Sequence, residues 1–116
     1  MLTSETLTPF IGGDLEIGFF EGSLSVPNKV IRGPIERVEQ EGLRVVVQLE
    51  WAACLEMPKP ARWMASEVTR HKLPEIFGGE KPDSEGRLLF LTDSLSILFI
   101  PPGGGSLDRA KVQGLK

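Results

Sequence analysis

The class of fold follows from residues 43–57, which read LRVVVQLEWAACLEM. Every odd-numbered residue of this stretch is apolar, whereas polar or charged side chains occur only at the even positions Arg44, Gln48, Glu50 and Glu56. Successive side chains of a strand point to opposite faces of a sheet. The alternation therefore predicts one long antiparallel strand, or two strands joined by a bend, with the odd-numbered residues, including Trp51, in the core.

The composition is typical of one small soluble domain. The chain has 116 residues, of which 41% are hydrophobic and 25% charged, and its 13 Gly and 9 Pro favour many turns and short strands. Cys54 is the only cysteine, which excludes an intrachain disulfide. A chain without an intrachain disulfide fits a reducing compartment, so we expect a cytoplasmic protein. No stretch approaches the ~20 apolar residues of a membrane span, so we expect no membrane partner.

We divide the chain into three segments. Residues 1–13 are mostly small and polar, end in a glycine pair and are expected to form a flexible N-terminal arm. Residues 14–101 are expected to form a single β domain. Residues 102–116 begin in a Pro-Gly cluster, which indicates a glycine-hinged C-terminal tail.

Two hairpins are predicted inside the β domain. Residues 30–40 form a strand interrupted at Gly33-Pro34, where a bulge or an edge position is expected, and a turn at Glu41-Gly42 joins it to the long alternating strand. Residues 87–91 and 95–100 form the second hairpin. Its side chains are apolar on both faces, so both faces should be covered, either within a closed barrel or by a partner.

Residues 61–73 have two interpretations. Alternation from Ala61 to Val68 predicts a strand that returns from a tip at Pro58-Lys59-Pro60, and we prefer this hairpin. The spacing of Ala61, Met64, Val68 and His71 also fits a short helix.

The residues Gly33-Pro34-Ile35 through Val47 follow the pattern Gly-x-Ile-x-x-Val, a turn, and Val-x-Val. This hairpin resembles the paired strands of SH3-like small barrels, including modules of ribosomal and transcription proteins. The resemblance implies a fold and carries no function. We expect an all-β fold, namely a small, strongly twisted antiparallel barrel or roll of five to seven strands, SH3-like in style. The alternative is an OB-like barrel or an open sandwich with one short helix near residues 61–73.

The sequence has no catalytic, metal or cofactor signature. His71 is the sole histidine and is flanked by Arg70 and Lys72, as is typical of a solvated surface histidine. Cys54 near the middle of a strand fits a small packing residue. One histidine and one cysteine do not make a common structural zinc site. We therefore expect no cofactor and no metal. The sequence also argues against an enzyme.

The expected function is binding or assembly. The apolar strands between residues 88 and 100 favour a non-enzymatic module that recruits a protein partner or self-associates. A nucleic-acid adaptor is the alternative, because residues 59–72 are locally basic although the net charge is −3. The candidate contacts with a partner or nucleic acid are Lys59, Arg62, Trp63, Arg70 and Lys72. A small-molecule-binding barrel or an enzyme of unknown class is the third hypothesis.

Overall fold

The computed structural model describes residues 2–21, 27–56, 62–75 and 81–105. It confirms the all-β class, with a helix α1 (Ser4–Leu7) and a 3₁₀ turn (Thr8–Phe10) ahead of the strands. The strands are β1 (Asp14–Phe19), β2 (Lys29–Glu41), β3 (Arg44–Leu49), β4 (Ala52–Glu56), β5 (Met64–Ser66), β6 (Arg70–Lys72), β7 (Leu88–Leu91) and β8 (Leu95–Ile100). Neither helical segment in these ranges is long and apolar enough to cross a bilayer.

The strands form an antiparallel sheet in the order β5-β4-β2-β1-β8-β7, and β3 pairs with β2 and with β6. The described residues form eight strands, where five to seven were predicted. Within the described part of the chain, β5, β6 and β7 each pair with one neighbour only, so the sheet is a roll that does not close into a barrel.

Strand β2 connects the two parts of this roll. Its residues 29–34 pair with β1, of which residues 29–32 also pair with β4, and its residues 35–41 pair with β3. The register with β3 shifts between Ile35 and Arg37, just after the Gly33-Pro34 position where a bulge or an edge was predicted, and β2 continues through that position without interruption. The predicted β2–β3 hairpin is also confirmed, with Gly42 at a positive φ of 63° in its turn.

Glu50 and Trp51 join β3 to β4 along one edge of β2 and come very close to the β2 backbone at residues 33–34; we call this close approach the crossing. The Glu50 backbone N–H donates to the Pro34 carbonyl at 3.0 Å. A Cβ atom on Gly33 would lie 1.9 Å from the Trp51 carbonyl oxygen. Only glycine leaves room for this crossing.

This crossing changes which side chains face the core. In β3 the odd-numbered Val45, Val47 and Leu49 are buried as predicted, but in β4 the even-numbered Ala52 and Cys54 take the inner positions. The predicted unbroken inward row is therefore wrong beyond Leu49, and also at its first residue, Leu43, which is 61% exposed in the turn before β3. Trp51, predicted in the core, is 56% exposed, because Glu50 and Trp51 belong to neither strand and shift the alternation by one residue.

The N-terminal residues also differ from the expected flexible arm, because three of them belong to the core. Leu2, Leu7 and Phe10 are buried, and the Phe10 ring lies 5.7 Å from that of Phe99, measured between centroids. The Ile35 backbone N–H donates to the Gly13 carbonyl at 2.7 Å. A sheet that does not close would leave some of its apolar side chains in contact with water. Leu2, Leu7 and Phe10 pack on these side chains and remove part of that apolar surface from water.

Residues around 61–73 form strands, not the alternative helix. Strand β5 pairs with β4, as the predicted hairpin requires, while its tip at residues 57–61 lies outside the described ranges. The β7–β8 hairpin is confirmed as well. In β8, residues 96–100 are buried, so side chains on both faces of this strand are covered as predicted. In β7 only Leu88 and Phe90 are buried, so the prediction that both faces are covered is wrong for β7. Most of the predicted tail, residues 106–116, is not described.

The crossing predicts that Gly33→Ala destabilises the fold. Because its Cβ would overlap the Trp51 carbonyl, we expect the free energy of unfolding to fall by about 1–3 kcal/mol in urea titrations. Gly105→Ala is the matched control, since a Cβ there meets nothing within 4 Å. Equal stability of the two variants would contradict the crossing.

Candidate binding site

A pocket of about 360 Å³ opens on the outer face of the sheet, which is the face turned away from the core. We call it the tryptophan pocket. It is lined by Asp14, Arg32, Trp51, Ala53 and Trp63. Its volume is at the lower end of the range of about 300–1,000 Å³ for small-molecule sites.

The pairing of β2, β4 and β5 builds this pocket. Ala53 lies between Arg32 of β2 and Ala65 of β5 in the sheet register. Trp51 comes two residues before Ala53, and Trp63 comes two residues before Ala65, so both follow the outward alternation. Because β4 and β5 are antiparallel, the two tryptophans extend beyond opposite ends of the alanine pair. The small methyl side chains between them leave the space of the pocket.

Arg32 and Asp14 form the polar side of the pocket. The Arg32 Nη2 group donates to Asp14 Oδ2 at 3.2 Å, and the two side chains are 34% and 29% exposed. Neither residue makes another side-chain hydrogen bond within the ranges that the structure describes. The remaining N–H groups of Arg32 and the second oxygen of Asp14 can therefore bind a ligand.

The residues predicted to contact a partner or nucleic acid do not form one surface in the structure. Lys59 lies outside the described ranges. Trp63 lines the pocket and is 43% exposed, with the exposed Arg62 next to it in sequence. Arg70 and Lys72 lie on β6, which belongs to the other part of the roll.

Acidic partners on β2 compensate the charges of Arg70 and Lys72. Arg70 contacts Glu39 at 3.3 Å and Glu41 at 2.9 Å, and Lys72 contacts Glu41 at 3.0 Å. Lys72, with a smaller contribution from Arg70, lowers the pKa of Glu41. These two cations are therefore not presented as an uncompensated basic surface.

His71 is buried, although its charged neighbours predicted a surface position. In the middle of β6 it is paired with Val47 of β3, and the alternation of the strand turns it inward while Arg70 and Lys72 face out. Among the residues that the structure describes, its Nε2 atom has no hydrogen-bond partner. Burial lowers the pKa of His71, an effect that a hydrogen bond with the Val68 backbone partly offsets. In the residues described here, no group of three His, Cys, Asp or Glu side chains is placed to hold a metal ion.

A second exposed feature is the edge strand β7. Its side chains alternate between the core and the surface, which leaves Leu89 partly exposed and Leu91 71% exposed. Among the described strands only β8 pairs with it, so one edge of β7 has no strand partner there.

Comparison of the chain with protein-family models, curated proteins and solved structures gives no significant match.

The burial of His71 predicts a pH dependence of stability. Its pKa is lowered from the ordinary 6.5, so the unfolded chain binds the proton more readily than the folded chain. The free energy of unfolding should be highest above about pH 6.5 and should fall below it by up to ~1.4 kcal/mol per pH unit. The lowered pKa values of Glu41 and Asp83 act only in more acidic solution, because their ordinary values are 4.5 and 3.8.

Urea unfolding of the wild type and of His71→Leu between about pH 7.5 and pH 5 measures this effect. The wild type should lose stability across the interval, and the variant should show a flatter profile. The same slope in both proteins would show that another group is responsible.

Proposed function

We propose that this protein is a non-enzymatic assembly module that self-associates by pairing β7 with β7 of a second copy. The observation that carries the proposal is the 71% exposure of Leu91 on an edge strand whose four residues are all apolar. A monomer would leave this side chain in water.

Strand β7 lacks the features that usually protect an edge. Proteins place Lys, Pro or other charged residues on edge strands to prevent pairing with another chain. The edge strand β6 carries Arg70 and Lys72, whereas β7 reads LLFL. Strand β7 has no charge that would select an oppositely charged partner. Its chemistry therefore favours a second copy of the same strand as the partner that pairs with its edge.

A two-fold axis at Phe90 gives an antiparallel pairing in which the exposed leucines meet. Leu89 would then lie opposite Leu91 of the second copy, and the symmetry repeats the contact. Four-residue strands bury much less than the about 1,200–2,000 Å² of a stable interface. Self-association should therefore depend on protein concentration.

The nucleic-acid adaptor has weaker support. It needs uncompensated cations, and the ion pairs of Arg70 and Lys72 with Glu39 and Glu41 use two of its candidate residues. Arg62 and Trp63 are the described residues on which that hypothesis still depends.

Light scattering after gel filtration, over a range of protein concentrations, tests the proposal. The wild-type mass should rise toward that of a dimer, and Leu91→Lys should remain a monomer because a charge would be buried in the pairing. Leu43→Lys is the matched control, since Leu43 is a 61% exposed leucine in the β2–β3 turn. A wild type that is monomeric at high concentration, or equal loss of association in both variants, would refute the proposal.

A further inference from the structure

We propose that the tryptophan pocket binds the base of a free nucleoside, specifically a planar, uncharged ring with a carbonyl group next to a ring N–H. This site is separate from the β7 edge and does not depend on self-association.

The two indoles favour a flat ring as the ligand. Trp51 and Trp63 are 56% and 43% exposed, although large aromatic side chains usually bury most of their area. They flank a floor formed by Ala53, which is too small to fill the space between them. An aromatic ring that stacks on an indole removes apolar area of both partners from water.

The charges of the pocket favour an uncharged ligand. Its lining contains one cation, Arg32, and one anion, Asp14, which contact each other at 3.2 Å. An anionic ligand would meet the carboxylate of Asp14, and a cationic ligand would meet the guanidinium of Arg32. Either would have to compete with the existing ion pair, whereas a neutral group can bind while the pair stays intact.

The ion pair also presents a donor beside an acceptor. Arg32 bonds to Asp14 through Nη2 alone, so its other N–H groups can donate to a carbonyl oxygen of the ligand. Asp14 uses Oδ2, so Oδ1 can accept from a ligand N–H. A carbonyl next to a ring N–H satisfies both groups at once, and the bases of inosine, guanosine and uridine have this edge.

The size and charge of the surroundings favour a free nucleoside over a nucleic acid. A volume of about 360 Å³ suits one small molecule. Binding of a polynucleotide would require several uncompensated cations, but the net charge of the chain is −3 and acidic partners hold Arg70 and Lys72.

The composition of the chain provides a direct assay. Its only two tryptophans line the pocket and it has no tyrosine, so indole fluorescence reports on this site alone. Titration with inosine should quench the fluorescence to saturation and shift both indole N–H resonances in the NMR spectrum. 1-Methylinosine keeps the ring and the carbonyl but lacks the ring N–H, and should bind at least about tenfold more weakly, as expected for one lost hydrogen bond to a charged group.

Variants test the roles of the residues. Trp63→Ala should weaken inosine binding by about fivefold or more, because stacking on one indole is lost while Trp51 still reports. Leu43→Ala, a change at an exposed leucine that does not line the pocket, should leave binding unchanged. Leu91→Lys should also bind inosine normally, which separates this inference from the proposed self-association.

Several results would overturn the inference. Equal binding of inosine and 1-methylinosine would remove the role of Asp14 as acceptor of the ring N–H. Binding of choline in place of inosine would indicate a site for cations. Binding of a single-stranded oligonucleotide without binding of the nucleoside would assign the surface to nucleic acid. No spectral change with inosine in the folded wild type would exclude the ligand class.

Discussion

The rest of the structure depends on the close backbone crossing at Gly33. The Trp51 carbonyl occupies the space of the missing side chain, and the Glu50 N–H bonds to the Pro34 carbonyl just beside it. At this point β2 exchanges its pairing with β4 for pairing with β3. Gly33 thus allows the single long strand β2 to pair with strands of both parts of the roll. A Cβ atom at this position would push the residues between β3 and β4 away from β2.

The same crossing determines the surface chemistry. The shift of one residue at Glu50-Trp51 puts the small side chains of Ala52 and Cys54 inside and turns Trp51 and Ala53 outward. Outward-facing Ala53 then lies beside Arg32, and the returning strand brings Trp63 to the other end of the alanine pair. Had the alternation continued without a break, the indole of Trp51 would fill the core, and the pocket would have only one tryptophan.

Local patterns predicted the elements of the fold better than the site. The β2–β3 and β7–β8 hairpins, and the inward side of Val45, Val47 and Leu49, follow from alternation and turn chemistry. The switch after Leu49 was missed because apolar residues occur at both odd and even positions of β4, so alternation alone fits either face. His71 was misplaced for a related reason, because a strand of three residues can hide its central side chain between two charged neighbours. Asp14 and Arg32 are far apart in sequence, and only the β1–β2 pairing brings them together.

The solvent exposure of Trp51 tests the crossing most directly. In Trp63→Phe the indole of Trp51 is the only one left, and collisional quenching of its fluorescence by acrylamide measures its contact with water. The structure predicts red-shifted emission and efficient quenching, as for an indole that is more than half exposed. Blue-shifted emission that resists quenching in the folded protein would mean that Trp51 lies in the core, and would contradict the crossing and the pocket that depends on it.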